Sequence, residues 1–362
     1  PLRFAFLAGV QSARTRADLK QPELADVAYE VVLGKFPKAK DLDKLLDEWA
    51  LMNLRAERFE RSDEIFKMLI EKTPNSPLVD NARLSLAESD YVASKLLEAK
   101  KVFQELSTSP KSDEGVKERA MFQLIEILTE QRAWADLLQQ TDTFLKSFPN
   151  SKYGSTVSFR RSEALTSTDK FAEAETLLAD LLKAKDDSTV ADTLWFPRVW
   201  VLLAECHVRQ KNYDKVVETV EGFRTWDPKN ERLYEAEEVL GRAYKNQRQW
   251  DESRAAFERS LGHPAAKGTE TAAKSQLMIA ETYWLQENWK KAQENYLKVY
   301  FNYPRYPEWQ APALFQAGLC DEKLGDPEQA AKTYKELITK FRSSKFKDQA
   351  QERWEKLNRP SS

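Results

Sequence analysis

The sequence predicts an all-α protein built as an array of helix hairpins. A repeat of 37 to 42 residues runs through the chain, and within each repeat the apolar residues recur at intervals of three, four and seven. Glycine is scarce, 10 in 362 residues, and the prolines fall where helices have to stop. A 3.6-residue periodicity interrupted at a fixed period is the mark of stacked helical units, each burying its apolar face against its neighbours.

The phase is clearest late in the chain, where Ala243–Ser253, Thr282–Ala292 and Cys320–Ala330 align directly. Carried backwards, it gives repeats starting at Phe6, Asp43, Asp80, Glu118, Ser155, Pro197, Tyr234, Ala273 and Ala311, spaced 37, 37, 38, 37, 42, 37, 39 and 38 residues apart. Position 8 of each repeat is small (Ala13, Ala50, Ala87, Ser162, Ala204, Gly241, Ala280 and Gly318), apart from Ile125. Position 20 is mostly small, with Leu137 and Val216 as exceptions. Small residues there let two antiparallel helices approach closely. Position 17 opens the second helix, usually with a large apolar residue such as Phe59, Trp134, Trp250 or Trp289. Positions 24 and 27 place Tyr29, Phe66, Phe103, Phe257, Tyr296 and Tyr334, and Leu69, Phe144, Phe223 and Leu337, on one face of that helix. Pro37, Pro74, Pro110, Pro149, Pro228, Pro264 and Pro304 are expected to end second helices, because proline lacks the helical donor and disfavours helix in the residue before it. Pro22 and Pro327 stand instead at helix starts, where the missing donor costs nothing.

This pattern resembles the tetratricopeptide repeat family: small at 8 and 20, aromatic at 17 and 24, proline near 32. The resemblance covers essentially the whole chain and implies a right-handed superhelical solenoid of about nine hairpins. The period exceeds the usual 34 by about three residues, and the surplus sits between repeats. The junction Phe148-Pro149-Asn150-Ser151 is similar to the bacterial cell-envelope subtype, of the BamD and Tol-Pal-associated kind. Residues 344–358, with Phe346, Ala350, Trp354 and Leu357 at helical spacing, read as a capping helix. With one core continuous along the array, residues 1–362 are read as a single domain.

The composition narrows the function classes. Lys+Arg 56 against Asp+Glu 58 leaves a net charge of −2, which offers no general attraction to nucleic acid or anionic lipid. No window approaches the roughly 20 apolar residues of a membrane span. Two cysteines and two histidines exclude a disulfide framework and a His/Cys-rich metal site. Glycine-rich phosphate loops, Gly-x-Ser-x-Gly and Cys-x-x-Cys are absent from the sequence. His207 falls at position 11, where Tyr244 and Tyr283 stand in later repeats, and reads as a packing residue. Cys206 and Cys320, at position 10, read as small buried side chains. No enzyme activity, cofactor or metal is expected.

The resemblance further implies that first helices line a concave groove, with positions 2, 5, 9, 12 and 13 facing in. Position 9 then carries Glu88, Glu126, Glu163 and Glu205 in four successive repeats. These glutamates are either a track for a cationic extended peptide, or an internal ladder pairing with Arg119, Arg160 and Arg198 of the following repeats. Trp284 and Phe315 are the candidate exposed anchors on that face. The run from Tyr300 to Trp309, with Tyr303 and Tyr306, suits an interface, or else glues the eighth repeat to the ninth. Trp195 and Phe196, ending the long junction from Lys183, are buried at a widened interface or exposed as a contact.

The sequence reading is therefore a non-catalytic scaffold binding an extended or helical segment of another protein, without nucleic acid and without membrane insertion, located in the bacterial periplasm or envelope. The alternatives are a cytoplasmic location, self-association into a homo-oligomer, and the regulatory or substrate-recruiting region of a larger enzyme.

Overall fold

The computed structural model describes residues 2–358. Among these there are twenty α-helices, one short 3-10 helix and no strand. The chain divides into two compact units, Pro1–Ala164 and Leu165–Ser362.

The first unit pairs α1 (Leu2–Asp18) with α2 (Pro22–Lys35), α3 (Leu42–Arg55) with α4 (Phe59–Lys72), α5 (Val79–Val92) with α6 (Leu96–Thr108), and α7 (Glu114–Glu130) with α8 (Trp134–Ser147). The helix α9 (Gly154–Ser167) runs across the division. The second unit continues with α10 (Phe171–Leu182), the single turn α11 (Ser188–Ala191), α12 (Phe196–Arg209) and α13 (Tyr213–Trp226). It goes on through α14 (Leu233–Asn246), α15 (Trp250–Gly262), α16 (Glu270–Leu285), α17 (Trp289–Asn302), α18 (Pro307–Lys323) and α19 (Pro327–Lys340), and closes with α20 (Lys347–Leu357).

Each helix ends where its chemistry requires. The second helices that run into a proline stop two residues short of it: Lys35 before Pro37, Lys72 before Pro74, Thr108 before Pro110, Ser147 before Pro149, Trp226 before Pro228, Gly262 before Pro264 and Asn302 before Pro304. The intervening residue leaves the helical region, as the proline ring demands. Pro22 and Pro327 are the first residues of α2 and α19. The long junctions hold α11 and a 3-10 turn at Pro264–Ala266.

Positions 8, 20 and 24 form the hairpin core. Every position 8 and position 20 residue is buried, from Ala13 and Ala25 to Gly318 and Ala330. The space is tight: a methyl group on Gly241 would lie 2.5 Å from the Phe257 ring, and one on Gly318 2.5 Å from the Tyr334 ring. Where position 20 is serine, its hydroxyl donates back to the position 8 carbonyl, Ser62 to Ala50 at 2.9 Å and Ser253 to Gly241 at 2.8 Å.

Between the two helices of a hairpin the backbone turns in one way throughout. Lys20, Glu57, Ser94, Arg132, Asp169, Lys211, Arg248, Glu287 and Gly325, all at position 15, have φ between 52° and 76°. At each, the amide donates three residues back and the next amide five back, as in Lys20 to Ala17 and Gln21 to Arg16, or Glu287 to Trp284 and Asn288 to Tyr283. This is the Schellman closure of a helix end. Among the described residues, side-chain caps on the following helix come only from Asn288 and Asp326, so the backbone closure and the buried small residues hold most of the turns.

The expected capping helix is α20. Ala350 is buried and Phe346, Trp354 and Leu357 pack on a cluster containing Phe315, Tyr334 and Leu337. Asp348, Gln349, Glu352 and Glu355 face outwards.

Candidate interaction surface

The position 9 glutamates lie on first helices and each is engaged by a cation. Arg119 donates to Glu88 at 2.6 Å, with Gln123 adding a bond at 3.1 Å. Arg160 reaches both oxygens of Glu126, at 2.9 and 2.8 Å, and donates to Glu163 at 2.9 Å. Glu205 is bonded by Arg242, which also holds the buried Glu238 at 3.0 Å, and Lys274 completes that cluster at 3.0 Å. Glu281, at position 9 of the eighth repeat, pairs instead with Lys245 of the preceding repeat.

Burial and pairing act on these carboxyls with different outcomes. For Glu88, desolvation raises the pKa and Arg119 only partly offsets it. For Glu205, desolvation also works upwards, but the hydrogen bond and charge of Arg242 outweigh it and hold the carboxyl below its ordinary value. Such pairs set the register between neighbouring helices, and a cationic ligand would have to displace an arginine already in place.

Phe315 is corrected from an exposed anchor to a core residue. It is 6% exposed, packed 5.9 Å from the Tyr334 ring and stacked 5.4 Å from Phe346 of the C-terminal segment. Trp284 is half-buried, edge-on to Trp289 at 4.7 Å, and followed by the exposed Leu285. The aromatic run is largely consumed in holding the eighth and ninth repeats. Tyr300 is buried, donates its hydroxyl to Glu336 at 2.5 Å and accepts from Lys340 at 2.5 Å. Tyr306 donates to the Gly268 carbonyl and Trp309 to Glu270, each at 3.1 Å. Tyr303 is half-buried, which raises its phenol pKa. Phe301, within the run but not singled out from the sequence, is its largely exposed aromatic. Phe196 is buried in an aromatic cluster with Trp226 and Trp195.

His207 is buried, with Nδ1 3.7 Å from Glu175 and no hydrogen-bond partner, and burial lowers its pKa. Both cysteines are buried thiols, Cys206 pushed up to about 11 and Cys320 to about 12, by desolvation above all. Among the described residues no group of three His, Cys, Asp or Glu is placed to hold a metal ion.

The sequence reading missed a concavity on the first-helix face of the first two repeats. A pocket of about 510 Å³ is lined by Arg14, Ala17, Tyr29, Glu48, Met52 and Arg55, among others. Arg14 grips Glu48 through Nε and Nη2, at 2.7 and 2.6 Å, and the Tyr29 hydroxyl donates to the same carboxylate at 2.7 Å. Arg55, at position 13, is exposed and makes no ion pair among the described residues. Position 13 was the available signal, but a lone arginine on a charged helix does not stand out.

Residues 312–344 match the tetratricopeptide repeat family model. No curated protein matches the chain by sequence. Among solved structures, a tetratricopeptide repeat protein from Parabacteroides merdae is 15% identical with a TM-score of 0.50, over 75% of this chain and 98% of its own. A signal-transduction ATPase with numerous domains from Pyrococcus horikoshii, which carries a tetratricopeptide repeat sensor, is 12% identical with a TM-score of 0.57, over 97% of this chain and 55% of its own. The fold is thus an α-solenoid of tetratricopeptide type. Among the described residues no helix is long and apolar enough to cross a membrane.

Proposed function

We propose that the chain is a non-catalytic scaffold that binds an extended or helical segment of another protein along its first-helix face, serving assembly in the bacterial envelope. Proteins of this repeat type generally bind other proteins. The observation that carries the reading is the pocket beside Arg55, an apolar floor of Met52 and Ala17 with an unpaired guanidinium at its edge. Apolar area beside an exposed arginine that makes no ion pair is the composition of a recognition hot spot. The glutamates of position 9 act in this scheme as stacking pairs, and the ligand's anchor is an acidic or carboxamide-bearing side chain at Arg55. The envelope location draws on the Phe148–Ser151 junction. The alternative, a recruiting region of a larger enzyme, has its counterpart in the Pyrococcus protein, whose repeat is a sensor.

The test is affinity capture from envelope and cytosolic fractions with the native chain, Arg55→Glu, and the double change Glu88→Gln with Glu126→Gln. A partner kept by the double variant and lost by Arg55→Glu is the expected result. The reverse pattern makes the acidic row the track and sinks the pocket.

A further inference from the structure

The first hairpin breaks the repeat's packing rules on two faces. Position 3 of the first helix is buried in every later repeat, from Leu45 and Ala82 to Ser275 and Ala313, but Ala8 is exposed. The second departure is in α2, where positions 19, 22 and 26 are Leu24, Val27 and Val31, all exposed. The same positions of α17 are the exposed Lys291, Glu294 and Lys298. Phe4, 79% exposed, and Leu7 extend the apolar area onto α1. The outer face of α20, by contrast, carries the exposed Asp348, Gln349, Glu352 and Glu355.

Charge indicates what covers this face. Where α1 starts and α2 stops, a pocket of about 480 Å³ opens over the edge-to-face rings of Phe6 and Phe36, 5.9 Å apart. Its rim carries Arg3, Lys35, Lys38 and Lys40, none of which pairs with a carboxylate among the described residues. Asp41, the acid that lines it, is held by Lys44 at 3.2 Å. Four cations without a carboxylate partner around an aromatic floor form one half of a complementary surface. A second copy would bring four more cations to that rim.

We propose that this end of the first hairpin docks an acidic amphipathic helix of a partner protein. Its apolar stripe lies on Leu7, Leu24, Val27 and Val31, one large side chain enters the pocket over Phe6 and Phe36, and its carboxylates meet Lys35, Lys38 and Lys40. Helix-in-groove recognition needs that combination of anchors at i, i+3, i+4 and i+7 with flanking charge. The site is separate from the Arg55 pocket, and either can fail without the other.

The probe is a fluorescent synthetic helix of about five turns, with Leu and Phe at that spacing and Glu on both flanks, together with its Lys-flanked twin. Anisotropy is read for the full chain, for the triple change Lys35→Glu, Lys38→Glu and Lys40→Glu, and for Val27→Ser with Val31→Ser. The substituted side chains are exposed, and circular dichroism checks that each variant folds. The acidic peptide should bind at least about tenfold tighter than its twin, lose at least about tenfold on either variant, and weaken with salt. Equal binding of the twins, unaltered binding by both variants, or no binding at about 100 μM peptide overturns the proposal. So does a dimer in sedimentation that Val27→Ser with Val31→Ser dissociates, which makes a second copy the occupant. Binding to vesicles of acidic phospholipid without binding to the peptide would make it a lipid surface instead.

Discussion

Replacing Glu287 by glycine is expected to stabilise the protein, and replacing Gly325 by alanine to destabilise it by a similar amount. Both residues close a hairpin at position 15, with φ of 58° and 76°. A Cβ in the left-handed region costs about 1–2 kcal/mol. Glycine gives back about 0.5–1 kcal/mol through the extra backbone freedom it loses on folding. The difference leaves Glu287→Gly ahead by about 0.5–1 kcal/mol, since the Glu287 side chain is exposed and has no ion pair among the described residues to forfeit. Lys211 and Arg248 repeat the geometry in separate hairpins of the same compact unit, with φ of 62° each. The three changes together should therefore add to about 1.5–3 kcal/mol, because distant sites contribute independently. Asp169→Gly is the contrasting case, because it also removes the 3.0 Å pair with Arg209.

The assay is urea unfolding followed by tryptophan fluorescence, with the midpoint moving at constant slope. Glu287→Ala is the control and should match the native chain, since alanine carries the same Cβ. If Glu287→Gly destabilises, or if glycine and alanine behave alike, position 15 does not adopt the left-handed turn and the phase of the repeats is misplaced.

Gly241→Ala should cost about 1 kcal/mol in spite of alanine's better helix propensity of about 1 kcal/mol, because the methyl meets the Phe257 ring and overpacking costs about 1–3 kcal/mol; Gly34→Ala, with open space around it, should be neutral or stabilising in the same thermal melts. Glu205, with its pKa depressed, contributes stability that is present above its unfolded value and lost as pH falls through its folded one. Glu205→Gln should thus cost about 1.5–3 kcal/mol near pH 7, the gap to the native chain closing below about pH 4. Glu88, with its pKa raised, has the opposite sign: its ionised form is disfavoured by folding, so lowering the pH restores stability and Glu88→Gln should be close to neutral at pH 7. The two thiols, pushed up to about 11 and 12, should be inert to a disulfide reagent at pH 8 and react only at the rate of unfolding, which a colorimetric thiol assay follows.

What the sequence made legible was whatever a side chain decides alone. Size decides positions 8 and 20, and the proline ring decides helix ends, so those readings carried over residue by residue. The hairpin turn was not legible, because its left-handed residue is Lys, Glu, Ser, Arg or Asp as often as anything else, and only Gly325 advertises the geometry. There the backbone conformation is imposed by the buried helices on either side, and the side chain merely tolerates it. The pairs Glu88–Arg119 and Glu126–Arg160 were legible from spacing; Arg242 as the partner of Glu205 was not, since Arg242 itself stands at position 9 rather than at the positions of the other arginines. Phe315 misled for a related reason: its burial is supplied in part by Phe346 of the segment that follows the ninth hairpin, which the positions of the hairpin itself do not foresee.

These failures share a cause that bears on function. In the interior of the array charges such as Glu126, Glu205 and Glu281 are consumed in matching cations of neighbouring repeats. Surfaces available to a ligand are those where the matching is incomplete, and the first two repeats hold both that were found: the unpaired Arg55 over Met52, and four unpaired cations beside Leu24, Val27 and Val31. A residue's place in the period therefore tells how it packs. Its departure from what the other repeats carry at that place is the better guide to binding.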